Sequence, residues 1–474
     1  MAHLLATAML ILLFSTSGCD RSPSTLVTGE NLGPLLRFDE NPSTNMDGAW
    51  RSRGYGWIFD IRDSEVTQYQ VAGSHCFATP EIGGELSETL ALDYEYYRVG
   101  SDLDTAVLQL LPDDTEIRVD RISELPEACR QESDHTYAEL LDYFSTMMAE
   151  HYAFFERRNI NWEERVAAAR NRVAMIENDQ EFFELLARMI DEFSDSHTKL
   201  RAEIDGEILR QQDGLGPTLS RVRDGDEETP WMIGLFSGLQ QEVLDPGSHH
   251  TARDRILWGT IGGEVGYVQI LVMGGFSGLS IGDPRFREEE FKIFDEVMDE
   301  ALSAMQDVDF VVLDLSNNRG GYDAISRRLV SRFAADSVIA YQTEVPRSTV
   351  PARPRIVEPA EGPRYVGPVL LLTSDVTVSG GELATLGLKA LPNVTHMGGT
   401  TRGSFSTVLA KPLPNGWVVE LSNEIISSAD GSVYEEIGIA PEFEYDMFPV
   451  GDSVDGYFKA LHSAVDRMRN ILDI

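Results

Sequence analysis

The sequence predicts an α+β multidomain protein: a small N-terminal β domain, a helical segment, and then an α/β core. Three observations carry this. Apolar spacing has a period near two over residues 46–130, changes to about 3.6 after residue 137, and gives way to alternating strand-like and helix-like runs from residue 265 onward. A chain of 474 residues, 42% of them apolar, is long enough for several domains and needs no metal or disulfide staple to build a core. Its 39 basic and 78 acidic side chains leave a net charge of −39, which excludes charge-driven binding to nucleic acid or to an anionic membrane surface.

The chain opens on an apolar run over residues 4–14, interrupted by Thr7 and followed by Ser15-Thr16-Ser17-Gly18-Cys19. Such a run falls short of the roughly 20 residues that a spanning helix needs, and it fits the core of an export signal. Small residues just before a cysteine resemble the bacterial lipobox. That resemblance implies removal of residues 1–18, lipidation of Cys19, and a periplasmic lipoprotein whose partner is a bacterial membrane, reached through acyl chains. Two cysteines then remain, Cys76 and Cys129, which an oxidising compartment allows to pair; their spacing matches no zinc motif. Two unrelated thiols are the alternative.

Residues 19–45 are rich in Ser, Pro, Asn, Thr and Gly and read as a linker. In 46–130, short strands such as 57–61, 66–71 and 90–99 between Gly, Asp and Pro turns make the β domain. In 131–200, Leu140, Phe144, Met147, Met148, His151, Tyr152 and Phe155 share one face of a helix over 137–155. Asn161 with Glu164 forms a capping box for a second helix, and Phe182, Leu186, Ile190 and Phe193 mark a third. Residues 201–262 are turn-rich and read as a connector. The core, 263–474, begins with a strand at 265–272 and a helix through Phe291, Phe294, Val297, Met298 and Leu302. A strand at 310–315, a helix near 325–333, a strand at 368–373 and a helix at 382–391 follow.

Three places could carry chemistry. A strand runs into Ser316-Asn317-Asn318-Arg319-Gly320-Gly321, where two glycines let the backbone turn and present N–H groups. A second strand leads through a small-residue turn to Ser379-Gly380-Gly381-Glu382 at the start of a helix. Ser379 there is either an N-cap or a nucleophile helped by the Gly380 N–H and the helix dipole. Of nine histidines, His197 lies in the polar cluster that ends the helical segment, suited to base or to dipole duty. His249 and His250 have no matching ligand pair, so no metal site and no cofactor is expected.

In this order the elements resemble the serine peptidases that include the tricorn core protease and the C-terminal (tail-specific) processing proteases, over roughly residues 135–200 and 262–447. Asp195-Ser196-His197-Thr198 is similar to the Asp-Ser-His-Thr element of the tricorn-like branch. Asp314-Leu315-Ser316-Asn317-Asn318-Arg319-Gly320-Gly321 resembles the family's Asp-Leu-Arg-Asn-Asn-Pro-Gly-Gly loop, and Ser379-Gly380-Gly381-Glu382 its nucleophile turn. Tyr434-Glu435-Glu436-Ile437-Gly438-Ile439-Ala440-Pro441-Glu442 resembles its Glu-Asn-x-Gly-Val-x-Pro-Asp signature. Where processing proteases carry a lysine base, Gly398-Gly399-Thr400-Thr401-Arg402-Gly403-Ser404-Phe405 places Ser404. The resemblance therefore implies a ClpP/crotonase-like peptidase core with Ser379 as nucleophile and His197 as general base. Ser196 and Glu435 would be the orienting pair, with Glu436 the alternative carboxylate, and the Gly320 and Gly380 N–H groups would form the oxyanion hole. It implies peptides or unfolded proteins as substrates.

The family's PDZ module is expected to be absent or reduced within 201–262. Arg402, beside the site, could pair with a substrate carboxylate or be solvated. Two other readings stay open: a non-catalytic peptide- or lipid-binding protein on the same scaffold, as in the interphotoreceptor retinoid-binding protein, and a Ser–Lys protease using Lys411, Lys389 or Lys199.

Overall fold

A computed structural model describes residues 32–37, 46–62, 65–80, 96–112, 114–130, 136–281, 283–348, 350–451 and 453–474. The expected signal and Cys19 lie outside the described residues. Among the described residues no helix is long and apolar enough to cross a membrane.

The N-terminal layer is an eight-stranded antiparallel sheet. Alternation produces it: in Trp57–Arg62 and Thr105–Gln109 the apolar side chains turn inward against helix Tyr137–His151. One edge strand, Leu36–Arg37, pairs with Tyr96–Val99. The sheet thus begins inside the stretch whose composition reads as linker, because Leu36 packs partly buried against this core. Cys76 and Cys129 are joined in a disulfide that ties strand His75–Ala78 to the turn of 3-10 helix Glu127–Arg130.

Three helices follow, Tyr137–His151, Trp162–Val173 and Asp179–Ile190. Asn161 caps the second, its side chain accepting the Glu164 N–H at 3.2 Å. The first stops at His151, short of residue 155, because the Ala153 N–H leaves the helical ladder and donates to Ser422 O at 3.0 Å. Tyr152 and Phe155 still pack with Trp162 and Phe193 in one aromatic cluster.

The core is a seven-stranded sheet in the order His249–Thr251, Ile256–Ile261, Val265–Ile270, Phe310–Asp314, Val369–Thr373, Val394–Gly398, Phe443–Glu444. Its last five strands run parallel, and Phe310–Asp314 and Val369–Thr373 are buried throughout, as continuous apolar runs between two helical layers require. Helices Phe286–Ala304, Asp323–Ser331 and Gly380–Lys389 cover one face, and Ser453–Leu472 packs on the other. Residues expected as a connector hold the hairpin Lys199–Ile204/Glu207–Gln212, helices Pro217–Asp224 and Glu228–Gly238, and two strands of the core sheet. The strand Lys199–Ile204 also pairs antiparallel with Val418–Ser422, with Glu420 opposite Lys199. That pairing brings the end of the helical segment onto the core.

Candidate active site

Ser379 stands between strand Val369–Thr373 and helix Gly380–Lys389 with φ 55° and ψ −120°, a backbone state that costs a non-glycine residue about 1–3 kcal/mol. The surroundings hold it there. The Ser379 N–H donates to Ser404 O at 3.1 Å and to the Glu382 carboxylate at 3.2 Å, and that carboxylate also accepts the Gly403 and Ser404 N–H groups at 2.6 and 2.8 Å. Burial pushes the Glu382 carboxyl up to about 7, opposed by the Thr401 side chain and these donors. Ser404, at the position of the missing lysine, therefore lies directly beneath the Ser379 turn.

The glycine loop after Phe310–Asp314 presses against this turn. A Cβ on Gly320 would lie 2.8 Å from Ser379 Cβ, and one on Gly380 would lie 2.7 Å from Gly321 O, so neither position admits a side chain. Among the described residues the Gly380 N–H has no hydrogen-bond partner and opens the helix, where donors are free and the dipole is positive. The Gly320 N–H instead donates to Asn318 Oδ1 at 2.9 Å, while Asn318 Nδ2 donates to Ile270 O at 2.8 Å. Asp314 stays in the sheet interior, accepting from Tyr267, Tyr457 and the Ser316 N–H.

His197 follows the helical segment and precedes the strand that docks on Val418–Ser422. It lines a cavity of about 300 Å³ together with Ser379, Ser196, Lys199, Arg319 and Arg402. The structure thus brings the predicted nucleophile and base to one cavity, although no hydrogen bond joins them. Burial drives the His197 imidazole down to about 4, against the pull of Asp195, so the ring is neutral at neutral pH. Asp195 is fully buried and accepts the His197 N–H at 2.9 Å and the Thr198 hydroxyl at 3.0 Å.

The expected relay from Glu435 through Ser196 to His197 is not made. Ser196 Oγ and His197 Nδ1 are both buried with no partner among the described residues. Glu435 accepts from the Phe405 and Ser406 N–H groups at 2.9 and 3.2 Å and from Arg158 at 3.0 Å. Burial, then the charge of Asp195, push its carboxyl up to about 8, with Arg158 opposing. Glu436, by contrast, is exposed, so of the two adjacent carboxylates Glu435 is the one that faces the interior.

Arg158 was not singled out by pattern. It donates to Phe193 O at 3.1 Å and Ser194 O at 2.7 Å as well as to Glu435, and both side chains of the ion pair are almost wholly buried. Arg402 reaches Ser194 O at 2.8 Å and also Gly214 O. It is spent on the backbone just ahead of His197. The lysines have other partners: Lys411 donates to Tyr55 O at 3.0 Å and Gly56 O at 2.7 Å, Lys199, on the cavity wall, pairs with Glu420, and Lys389 lies beside His396.

Residues 264–445 match the family described as Peptidase family S41, a span that contains Ser379, the glycine loop and Glu435 but not His197. No curated protein matches the chain. Among solved structures, a candidate peptidase of Parabacteroides merdae is similar at 20% identity, with TM-score 0.57, over 70% of this chain and 96% of that one. Mature CPAF is similar at 12% identity, with TM-score 0.52, over 69% of this chain and 95% of that one. CPAF complexed with lactacystin is similar at 10% identity, with TM-score 0.51, over 70% and 98%. These structural likenesses describe the fold.

Proposed function

We propose, taking the S41 peptidase domain at residues 264–445 as premise, that the protein is an exported serine peptidase that hydrolyses peptides or unfolded proteins with Ser379 as nucleophile and His197 as base. One observation carries this most: a serine held on a strained turn at a helix N-terminus shares a cavity with a buried, neutral histidine. His197 Nδ1 is the buried ring nitrogen, which leaves Nε2 to take the Ser379 proton.

Ser379 Oγ then bonds to the scissile carbonyl carbon, and the oxygen takes the negative charge against the Gly380 N–H at the positive end of the helix, an effect worth about 3–4 kcal/mol per donor in such sites. Gly320 joins the hole if its N–H exchanges Asn318 for the oxyanion. His197 passes its proton to the departing amine, the C–N bond breaks, and water later repeats the sequence on the acyl-enzyme. The imidazolium formed in between faces the Asp195 charge. The two unpartnered atoms, Ser196 Oγ and His197 Nδ1, are what an orienting hydrogen bond would satisfy.

The 11-residue apolar run at 4–14, Cys19 and the Cys76–Cys129 disulfide support an exported, lipid-anchored chain. Radiolabelled palmitate should enter the wild type and not Cys19→Ala. For catalysis, the full chain and Ser379→Ala are compared by fluorophosphonate labelling and on an unfolded protein substrate. Labelling and hydrolysis that both vanish in the variant are expected; a folded wild type that neither labels at Ser379 nor cleaves would refute the assignment. Activity lost in Lys411→Ala but kept in His197→Ala would move the base to lysine.

A further inference from the structure

Ser379 lines a second cavity besides the one it shares with His197. This one encloses about 260 Å³, and its walls come from two domains: Tyr55, Trp57, Leu110 and Ile117 from the N-terminal β domain, and Leu383 and Phe405 from the core. Gly321, in the loop that presses on the serine turn, closes it beside the nucleophile.

Proton traffic orients the two cavities. The base must hand its proton to the departing amine, so the cavity that holds His197 belongs to the leaving-group side, and the other lies on the acyl side. A cavity of about 150 Å³ lined by aliphatic and aromatic groups already accepts benzene, so this one has room for a phenyl or isobutyl group. Its N-terminal wall is fixed in place. Lys411 Nζ, buried and unused by the mechanism, donates to the carbonyls of Tyr55 and Gly56, and Arg353 pairs with Glu116 at 2.6 Å.

We infer that the N-terminal β domain is a specificity element: with the core it forms the acyl-side subsite, which takes a large apolar side chain, of the Leu, Met or Phe class, from the residue that donates the scissile carbonyl. This rests on the peptidase reading. Two carboxyls, Asp114 and Asp323, also line the cavity and make a basic side chain the competitor. Asp323 is already engaged by Arg327 at 3.3 Å and by the Tyr341 hydroxyl. Burial and the neighbouring Asp323 push the Asp114 carboxyl up to about 7, so its charge is reduced at neutral pH and an apolar side chain is favoured over a cation.

Quenched peptides that differ only at the acyl-side residue (Ala, Leu, Phe, Lys, Glu) test this on the full chain. Wild type should prefer Leu and Phe over Ala by about tenfold or more in kcat/KM, as burial of an added apolar group in a fitted pocket gives. Thr115 lines the same cavity at its half-buried rim, and Thr115→Trp should lower the Leu:Ala ratio by about tenfold. Thr115→Leu, a smaller filling, should lower it less and decides the matter if the Trp variant does not fold. A preference for Lys, no preference at all, or equal losses on all five peptides would overturn the subsite while leaving the peptidase intact. No cleavage of any peptide, with no Ser379 labelling, would overturn the peptidase reading and the subsite with it.

Discussion

Arg158→Met removes the cation that the sequence did not advertise. Arg158 makes three hydrogen bonds, to Glu435 at 3.0 Å and to Phe193 O and Ser194 O at 3.1 and 2.7 Å, with its side chain 2% exposed and that of Glu435 1%. Removing one partner of a buried ion pair costs about 3–5 kcal/mol, chiefly because the other charge is stranded. With its carboxyl pushed up to about 8, Glu435 is already largely protonated at pH 7, so little negative charge is left to strand. The loss at pH 7 should therefore be near the lower limit, about 3 kcal/mol, with two orphaned carbonyls forming part of it. Denaturant titration of wild type, Arg158→Met, Glu435→Gln and the double variant measures it, and the double variant should recover about 1–3 kcal/mol of coupling. Because the clamp seizes the two residues ahead of Asp195, labelling of Ser379 should slow in parallel while Arg158→Lys, which keeps the charge, recovers part of the stability. An Arg158→Met protein within about 0.5 kcal/mol of wild type and labelled at the same rate would refute the reasoning.

With His197 held down to about 4, the acid limb of kcat/KM should fall near pH 4 rather than near 6.5, since the base stays neutral until then; a limb at 6–7 contradicts it. Gly320→Ala places a Cβ 2.8 Å from Ser379 Cβ at a φ of +81°, and should slow acylation about 100-fold while costing about 1–2 kcal/mol of stability. Wild-type labelling rates in that variant would remove the loop from the site. His396 is buried, bonded to Thr373 at 2.7 Å, and driven down to about 3 by burial and Lys389. The unfolded chain binds its proton near 6.5 and the native one does not, so its contribution is present above 6.5 and is lost as pH falls toward 3. Denaturation across that window should show a slope that His396→Gln flattens by a few kcal/mol in total.

Legibility followed the length scale of the physics. Strands 310–314 and 369–373 were readable because a strand buried on both faces must be largely apolar, and the Ser379 turn because a sharp strand-to-helix bend is eased by the glycines that follow it. The first helix was overextended by four residues: its apolar period continues through Phe155, but a hydrogen bond from Ala153 to a distant strand ends it, and period alone cannot report that. The hairpin after His197 was unreadable because Glu207–Gln212 is nowhere fully buried, so its side chains show no alternation.

By itself the sequence determined the order of the parts and, through motifs that resemble a peptidase family, put forward Ser379, His197 and one of the adjacent carboxylates Glu435 and Glu436 as candidates; burial in the structure separates those two carboxylates. Tertiary structure alone decided that His197 and Ser379 line one cavity, with Lys199–Ile204 pairing against Val418–Ser422, and that Glu435 bonds to Arg158 and not to Ser196. It also made the β domain, to which the sequence assigned no role, a wall of the cavity beside Ser379. Charge compensation and cavity walls are relations between residues far apart in the chain, and a one-dimensional pattern carries residue types without saying which of them will be neighbours.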